Sequence, residues 1–76
     1  MTLSRADLAG GPHDGESIIH PPATPLPENL VSISFDDGAV YARIGEEIDA
    51  ASGQRALLLH HDPDGSLTRS AKATFG

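Results

Sequence analysis

Histidine and carboxylate are the side chains in this sequence with the chemistry for a metal centre, and they gather at two places. His13 and Asp14 lie in Gly10-Gly11-Pro12-His13-Asp14-Gly15, while His60, His61 and Asp62 open His60-His61-Asp62-Pro63-Asp64-Gly65, with His20 between the two. Neutral imidazole and carboxylate are good ligands for zinc and other transition metals. No pair of these residues, however, has the i, i+4 spacing that sets two ligands on one helical face. His60 and His61 are adjacent on an extended segment, so their side chains point to opposite faces. The pattern predicts histidines of turns and strand ends, with no metal and no cofactor. Asp62-Pro63-Asp64-Gly65 begins like a calcium loop but has no glutamate at the closing position, and it reads as a turn with proline presetting φ.

Catalytic chemistry finds no better footing. Glu46 and Glu47 are neighbours in a polar stretch, with nothing to desolvate either and raise it into the range of a general acid. Ser32 and Ser34 share one face of a strand-like segment, and no nucleophile-elbow sequence surrounds them. Gly10-Gly11 is not continued by the Lys-Ser/Thr of a phosphate loop. The expectation is a protein that is not an enzyme and has no catalytic residues.

The elements that carry these residues are short and strand-like. In Leu30-Val31-Ser32-Ile33-Ser34-Phe35 the alternation sets Val31, Ile33 and Phe35 on one face and the serines on the other. Asp36-Asp37-Gly38 supplies a three-residue connection whose glycine can take a left-handed conformation. Ala39-Val40-Tyr41-Ala42-Arg43-Ile44 is expected to return antiparallel, with Val40 and Ile44 inward and Arg43 outward. Arg55-Ala56-Leu57-Leu58-Leu59-His60-His61 is a third strand, continuous enough in leucine to be buried on both faces or to lie against a partner. The connector from Gly45 to Gln54 is expected to be a polar loop. Ser4-Arg5-Ala6-Asp7 has a capping-box pattern, but the glycines follow too soon for two helical turns. The residues around Leu8 are therefore read as a short strand paired across the Gly-rich turn with Glu16-Ser17-Ile18-Ile19-His20.

His20-Pro21-Pro22-Ala23-Thr24-Pro25-Leu26-Pro27 holds four prolines in eight residues, which denies backbone donors and favours a polyproline-like arm or crossover. Ser66 to Gly76 is small, polar and slightly basic, and is expected to be mobile when alone. The fold expected is mostly β, a small antiparallel sheet or sandwich of hairpins with a Pro-rich crossover and a flexible C-terminal tail. Residues 1–65 would form one small β domain including the arm at 20–27, and 66–76 the tail. The residues expected to meet a partner are Pro21, Pro22, Pro25, Leu26 and Pro27 of the arm, Leu57 and Leu59 of the leucine-rich strand, and Arg69, Lys72 and Phe75 of the tail.

Composition narrows the partners. With 76 residues and no cysteine, the domain has neither a large core nor disulfides to reinforce it, so assembly with other copies or another protein is an open route to stability. Five Lys and Arg stand against eleven Asp and Glu, for a net charge of −6, and Arg5, Arg43, Arg55, Arg69 and Lys72 form no phosphate-neutralising stripe. Nucleic acid and anionic membrane surfaces are disfavoured on that ground. No apolar run approaches the ~20 residues that span a bilayer, and the N-terminus lacks the apolar core of a signal peptide, so the chain is expected to be neither membrane-bound nor secreted.

The ordered set Gly10-Gly11-Pro12-His13-Asp14-Gly15, Leu26-Pro27-Glu28-Asn29-Leu30, Ala39-Val40-Tyr41, Ser52-Gly53-Gln54 and His60-His61-Asp62-Pro63-Asp64-Gly65 resembles a group of small proteins of actinobacteria and their tailed phages. These share a Gly-Gly-Pro-x-Asp-Gly start and a His-Asp-Pro-like end. The resemblance covers Leu8 to about Gly65. It implies a small β fold and a phage context, and carries over no catalytic residue. The function expected is a non-enzymatic structural accessory of a bacteriophage particle, a capsid-surface, minor capsid or head–tail component. It would bind the major capsid protein or further copies of itself and reside in the virion. The alternative is a small cytoplasmic binding or regulatory module.

Overall fold

A computed structural model describes residues 3–19, 26–27, 29–48, 50–51 and 53–75. The clearest sequence signal, the alternation about Ile33, forms β3 (Ser32–Ser34), which pairs antiparallel with β4 (Val40–Ile48). Their connection is the expected one. Phe35 N–H donates to Ala39 O at 2.9 Å, Asp36 to Gly38 make the turn, and Gly38 takes a φ of 88°, a conformation that glycine adopts without steric cost. The leucine-rich segment is β5 (Arg55–His61), and the N-terminal residues form β1 (Leu3–Ala9), paired antiparallel with β2 (Ser17–Ile19) across the Gly-rich turn.

The strands form one curled five-stranded sheet in the order β2-β1-β5-β4-β3. The domain is mostly β, as expected, but the sheet is mixed. β1 runs parallel to β5, with Ala6 opposite Leu57 and Leu8 opposite Leu59. The expectation of purely antiparallel hairpins is corrected here. A parallel pair requires a long crossover, and everything from β2 to β4 serves as the one between β1 and β5.

The second correction concerns the C-terminus. Ser66–Thr74, expected within the flexible tail, is a helix, α1, and it packs against β4. Its Leu67, Arg69, Ala71, Lys72 and Ala73 are good helix formers, while Ser66, Thr68, Ser70 and Thr74 are weaker ones, so the helix depends on an anchor at its N-terminus. The third correction concerns which residues of β4 turn inward. Tyr41 is fully buried and Arg43 is 5% exposed, whereas Ile44 is 51% exposed and Val40 is only half-buried. The reason is register. A three-residue turn pairs Phe35 with Ala39, so Ile33 faces Tyr41 and Val40 falls opposite Ser34 on the other face. A bulge between Arg43 and Gly45 then displaces Ile44 from the alternation.

The core lies on the face shared by Ala6, Leu8, Tyr41, Leu57 and Leu59, closed by Leu26 and Ala39 and flanked by Ile18, Leu30, Ile33 and Phe35. β5 is the central strand, which is why its leucines are continuous. Leu57 and Leu59 are 0% and 1% exposed. The connector read as a loop is strand as far as Ile48, with turn residues at Ala50 and Ala51.

Candidate docking cleft and the histidine cluster

α1 is anchored by the residues that looked like a calcium loop. Asp62 is buried beneath the first turn, its carboxylate accepting from Leu67 N–H at 3.2 Å, Thr68 N–H at 2.9 Å and the Thr68 hydroxyl at 2.6 Å. Asp64 accepts from Ser66 N–H at 3.0 Å and from the Ser66 hydroxyl. Burial pushes the Asp62 carboxyl up, but the bonds from Thr68 and Leu67 outweigh it and hold the group below the ordinary aspartate value. The free amides that open a helix are thus satisfied by carboxylates two and five or six residues upstream, which also suits the helix dipole.

Between α1 and β4 lies an open cleft of about 230 Å³ lined by Arg43, Ile44, Leu67, Ser70, Ala71, Thr74 and Phe75. Leu67, Ser70, Ala71 and Thr74 repeat at the spacing of one helical face. The Arg43 guanidinium sits 4.0 Å from the centre of the Phe75 ring, a cation–π contact, and donates to Leu30 O at 3.3 Å and toward Glu46 at 3.5 Å. Glu46 is shared with Arg55 at 2.8 Å.

Of the residues expected to meet a partner, Phe75 forms a wall of this cleft. Arg69 and Lys72 are exposed on α1, on the side of the helix turned away from it. Leu57, Leu59 and Leu26 are core residues and offer no surface to a partner. The leucine run signals a central strand, and Leu26, at 7% exposure, plugs the core from the end of the proline arm. Pro27 is exposed, and Pro21, Pro22 and Pro25 lie outside the described residues.

The histidines belong to the opposite design, a packed turn cluster. The parallel pairing of β1 with β5 brings the end of β1, the end of β5 and the start of β4 to one end of the sheet. A single 3-10 turn, Gly11–His13, follows β1 there. The Tyr41 hydroxyl donates to Gly10 O and accepts from His13 N–H at 2.8 Å, pinning that turn to β4. The His13 ring stacks on Phe35 with centroids 4.2 Å apart, its Nδ1 is 2.8 Å from Glu16 Oε2, and its Nε2 is 2.9 Å from Asp37 Oδ2. His61 lies beside Tyr41, 5.4 Å between ring centres, and over Gly11. A Cβ at Gly11 would stand 2.4 Å from His61 Cγ, and Gly11 has a φ of 63°, so both space and backbone require glycine.

The ring nitrogens of His13 are thus engaged by carboxylates on opposite sides, and the Tyr41 hydroxyl serves the turn both as donor and as acceptor. His60 falls on the face away from His61, its Nδ1 near His61 O. Among the described residues no three histidine or carboxylate side chains converge as metal ligands, and no helix is long and apolar enough to cross a membrane. The His13–Glu16–Asp37 bridge was not visible in the sequence, although Glu16 three residues after His13 was a local hint. No protein-family model, no curated protein and no solved structure matches this chain.

Proposed function

We propose that the protein is a non-enzymatic interaction module that docks an acidic protein partner through α1 and the cleft beside it. The observation that carries this reading is the charge distribution: α1 exposes Arg69 and Lys72 and contains no carboxylate, on a chain of net charge −6. Such a helix attracts a carboxylate-rich surface, while the remainder of the molecule repels it, so charge orients the encounter. The cleft opens on the opposite side of α1 from Arg69 and Lys72, so a partner that uses both wraps the helix, its carboxylates on the outer face and an apolar anchor against Leu67, Phe75 and the exposed Ile44.

The setting we propose, from the resemblance to small actinobacterial and actinophage proteins, is a bacteriophage particle, with the protein as a capsid-surface or head–tail accessory and the major capsid protein as partner. Repetition on a lattice would add to the small core the burial that a free monomer lacks. The test is quantitative mass spectrometry of particles purified from an actinobacterial host, with the native protein and with the double variant Arg69→Glu, Lys72→Glu. The native protein should be present in fixed stoichiometry and the variant, melting as the native does, should be depleted several-fold. Equal incorporation of the variant would remove α1 as the docking element. Absence of the native protein from particles would remove the virion setting and favour the cytoplasmic module.

A further inference from the structure

His13 lies between two turns that are distant in sequence: its Nε2 reaches Asp37 of the β3–β4 turn, and its Nδ1 is held by Glu16 of its own turn. A neutral imidazole has one N–H donor and one acceptor lone pair, whereas an imidazolium has two donors. Carboxylate oxygens at 2.8 Å from Nδ1 and 2.9 Å from Nε2 can both be satisfied only by the imidazolium. We propose that His13 is a proton-operated clasp, which binds the β1–β2 turn tightly to the β3–β4 turn through Asp37 when its ring is protonated and loosens that tie when it is not.

The surroundings are arranged for this. Asp37 is held in place independently of the histidine, because its Oδ1 accepts from Ala39 N–H at 2.9 Å within the β3–β4 turn. That backbone bond is the leading reason its carboxyl lies below the ordinary aspartate value, so Asp37 presents a full negative charge to Nε2. Glu16 lies on the same turn as His13, as does Asp14, whose Oδ1 accepts from Gly10 N–H at 2.7 Å and closes the loop on itself. From β4 the Tyr41 hydroxyl is taken up by Gly10 and His13 backbone, and from β5 His61 packs on Tyr41. Asp36, exposed beside Asp37, adds a further negative charge at the turn. The groups facing His13 are therefore chiefly anionic. The bond to Glu16 is the main cause that raises the His13 pKa above its ordinary 6.5, offset in part by burial and helped by Asp37.

The sign follows. Because the folded value is raised, the clasp contributes its full stabilisation below about pH 6.5, the unfolded value, and loses it as pH climbs through the folded value. Loss of one proton removes one of the two donors and leaves a carboxylate facing a nitrogen lone pair. The Phe35 stack and the Tyr41 bonds remain, so the turns loosen while the sheet stays folded.

The experiment is an NMR titration of the His13 ring in the native protein, Glu16→Gln and Asp37→Asn, combined with amide-exchange protection factors corrected for intrinsic rates. His13 should titrate above 6.5 in the native chain and at lower pH in both variants. Protection at Glu16, Gly38 and Ala39 should fall several-fold as the ring deprotonates and should be low at all pH in Asp37→Asn. A native His13 titrating at or below 6.5, or turn protection that is independent of pH, would overturn the proposal.

Discussion

Replacing Asp62 by alanine tests the anchor on which the docking helix depends. The carboxylate accepts from two backbone amides and one hydroxyl at the start of α1. Losing a side-chain cap costs about 0.5–2 kcal/mol, and a buried amide left without a partner adds roughly 1–3 kcal/mol. Thr68 is only part-buried, so water can reach part of the vacated site and the sum settles near 2 kcal/mol. For a domain of this length each kcal/mol moves the melting temperature by roughly 4–8 °C, so Asp62→Ala should melt about 8–16 °C lower. The assay is thermal unfolding by circular dichroism with hydrogen exchange across Arg69 to Phe75, where protection should collapse before that of β5. Asp62→Asn, which keeps one acceptor, should fall between alanine and the native protein. Since the folded carboxyl is held below its ordinary value, the advantage of the native protein over Asp62→Asn should be present above about pH 4, the unfolded value, and vanish as pH drops through the folded value. An alanine variant with native melting and full protection in α1 would refute the capping argument and leave the helix held by its cleft face alone.

Two further substitutions probe the core and the turn cluster. Leu59→Ala removes a side chain that is 1% exposed on the central strand, and urea unfolding should record a loss of about 3–5 kcal/mol, in the range of buried leucine truncations. A loss under about 1 kcal/mol would mean that the sheet collapses to fill the space. Tyr41→Phe keeps the ring packing but deprives Gly10 O and His13 N–H of their partner. It should cost about 1–3 kcal/mol and speed amide exchange in the Gly-rich turn, with native exchange there as the refuting result.

Local sequence signals specify the mostly β character, the three-residue hairpin at Asp36 to Gly38, the pairing of the N-terminal strand across the Gly-rich turn, and the existence of the leucine-rich strand, whose central place in the sheet and whose buried leucines are tertiary. Each of these signals is a local statement, written in alternation or in turn residues, and local sterics decide it. The inward position of Tyr41 was within reach of the same reasoning, because an odd turn sets Ile33 opposite it. The bulge that exposes Ile44 was not. Nor was α1, whose sequence has weak caps of its own and becomes helical because Asp62, at the end of a core strand, is fixed beneath its first turn. The cleft and the His13 bridge depend on contacts between residues 24 or more apart in sequence. The bridge exists because β1 enters the sheet parallel to β5, and the cleft because α1 folds back on β4; both follow from how the whole chain buries Leu8, Tyr41 and Leu59 on one face, and no local pattern encodes them.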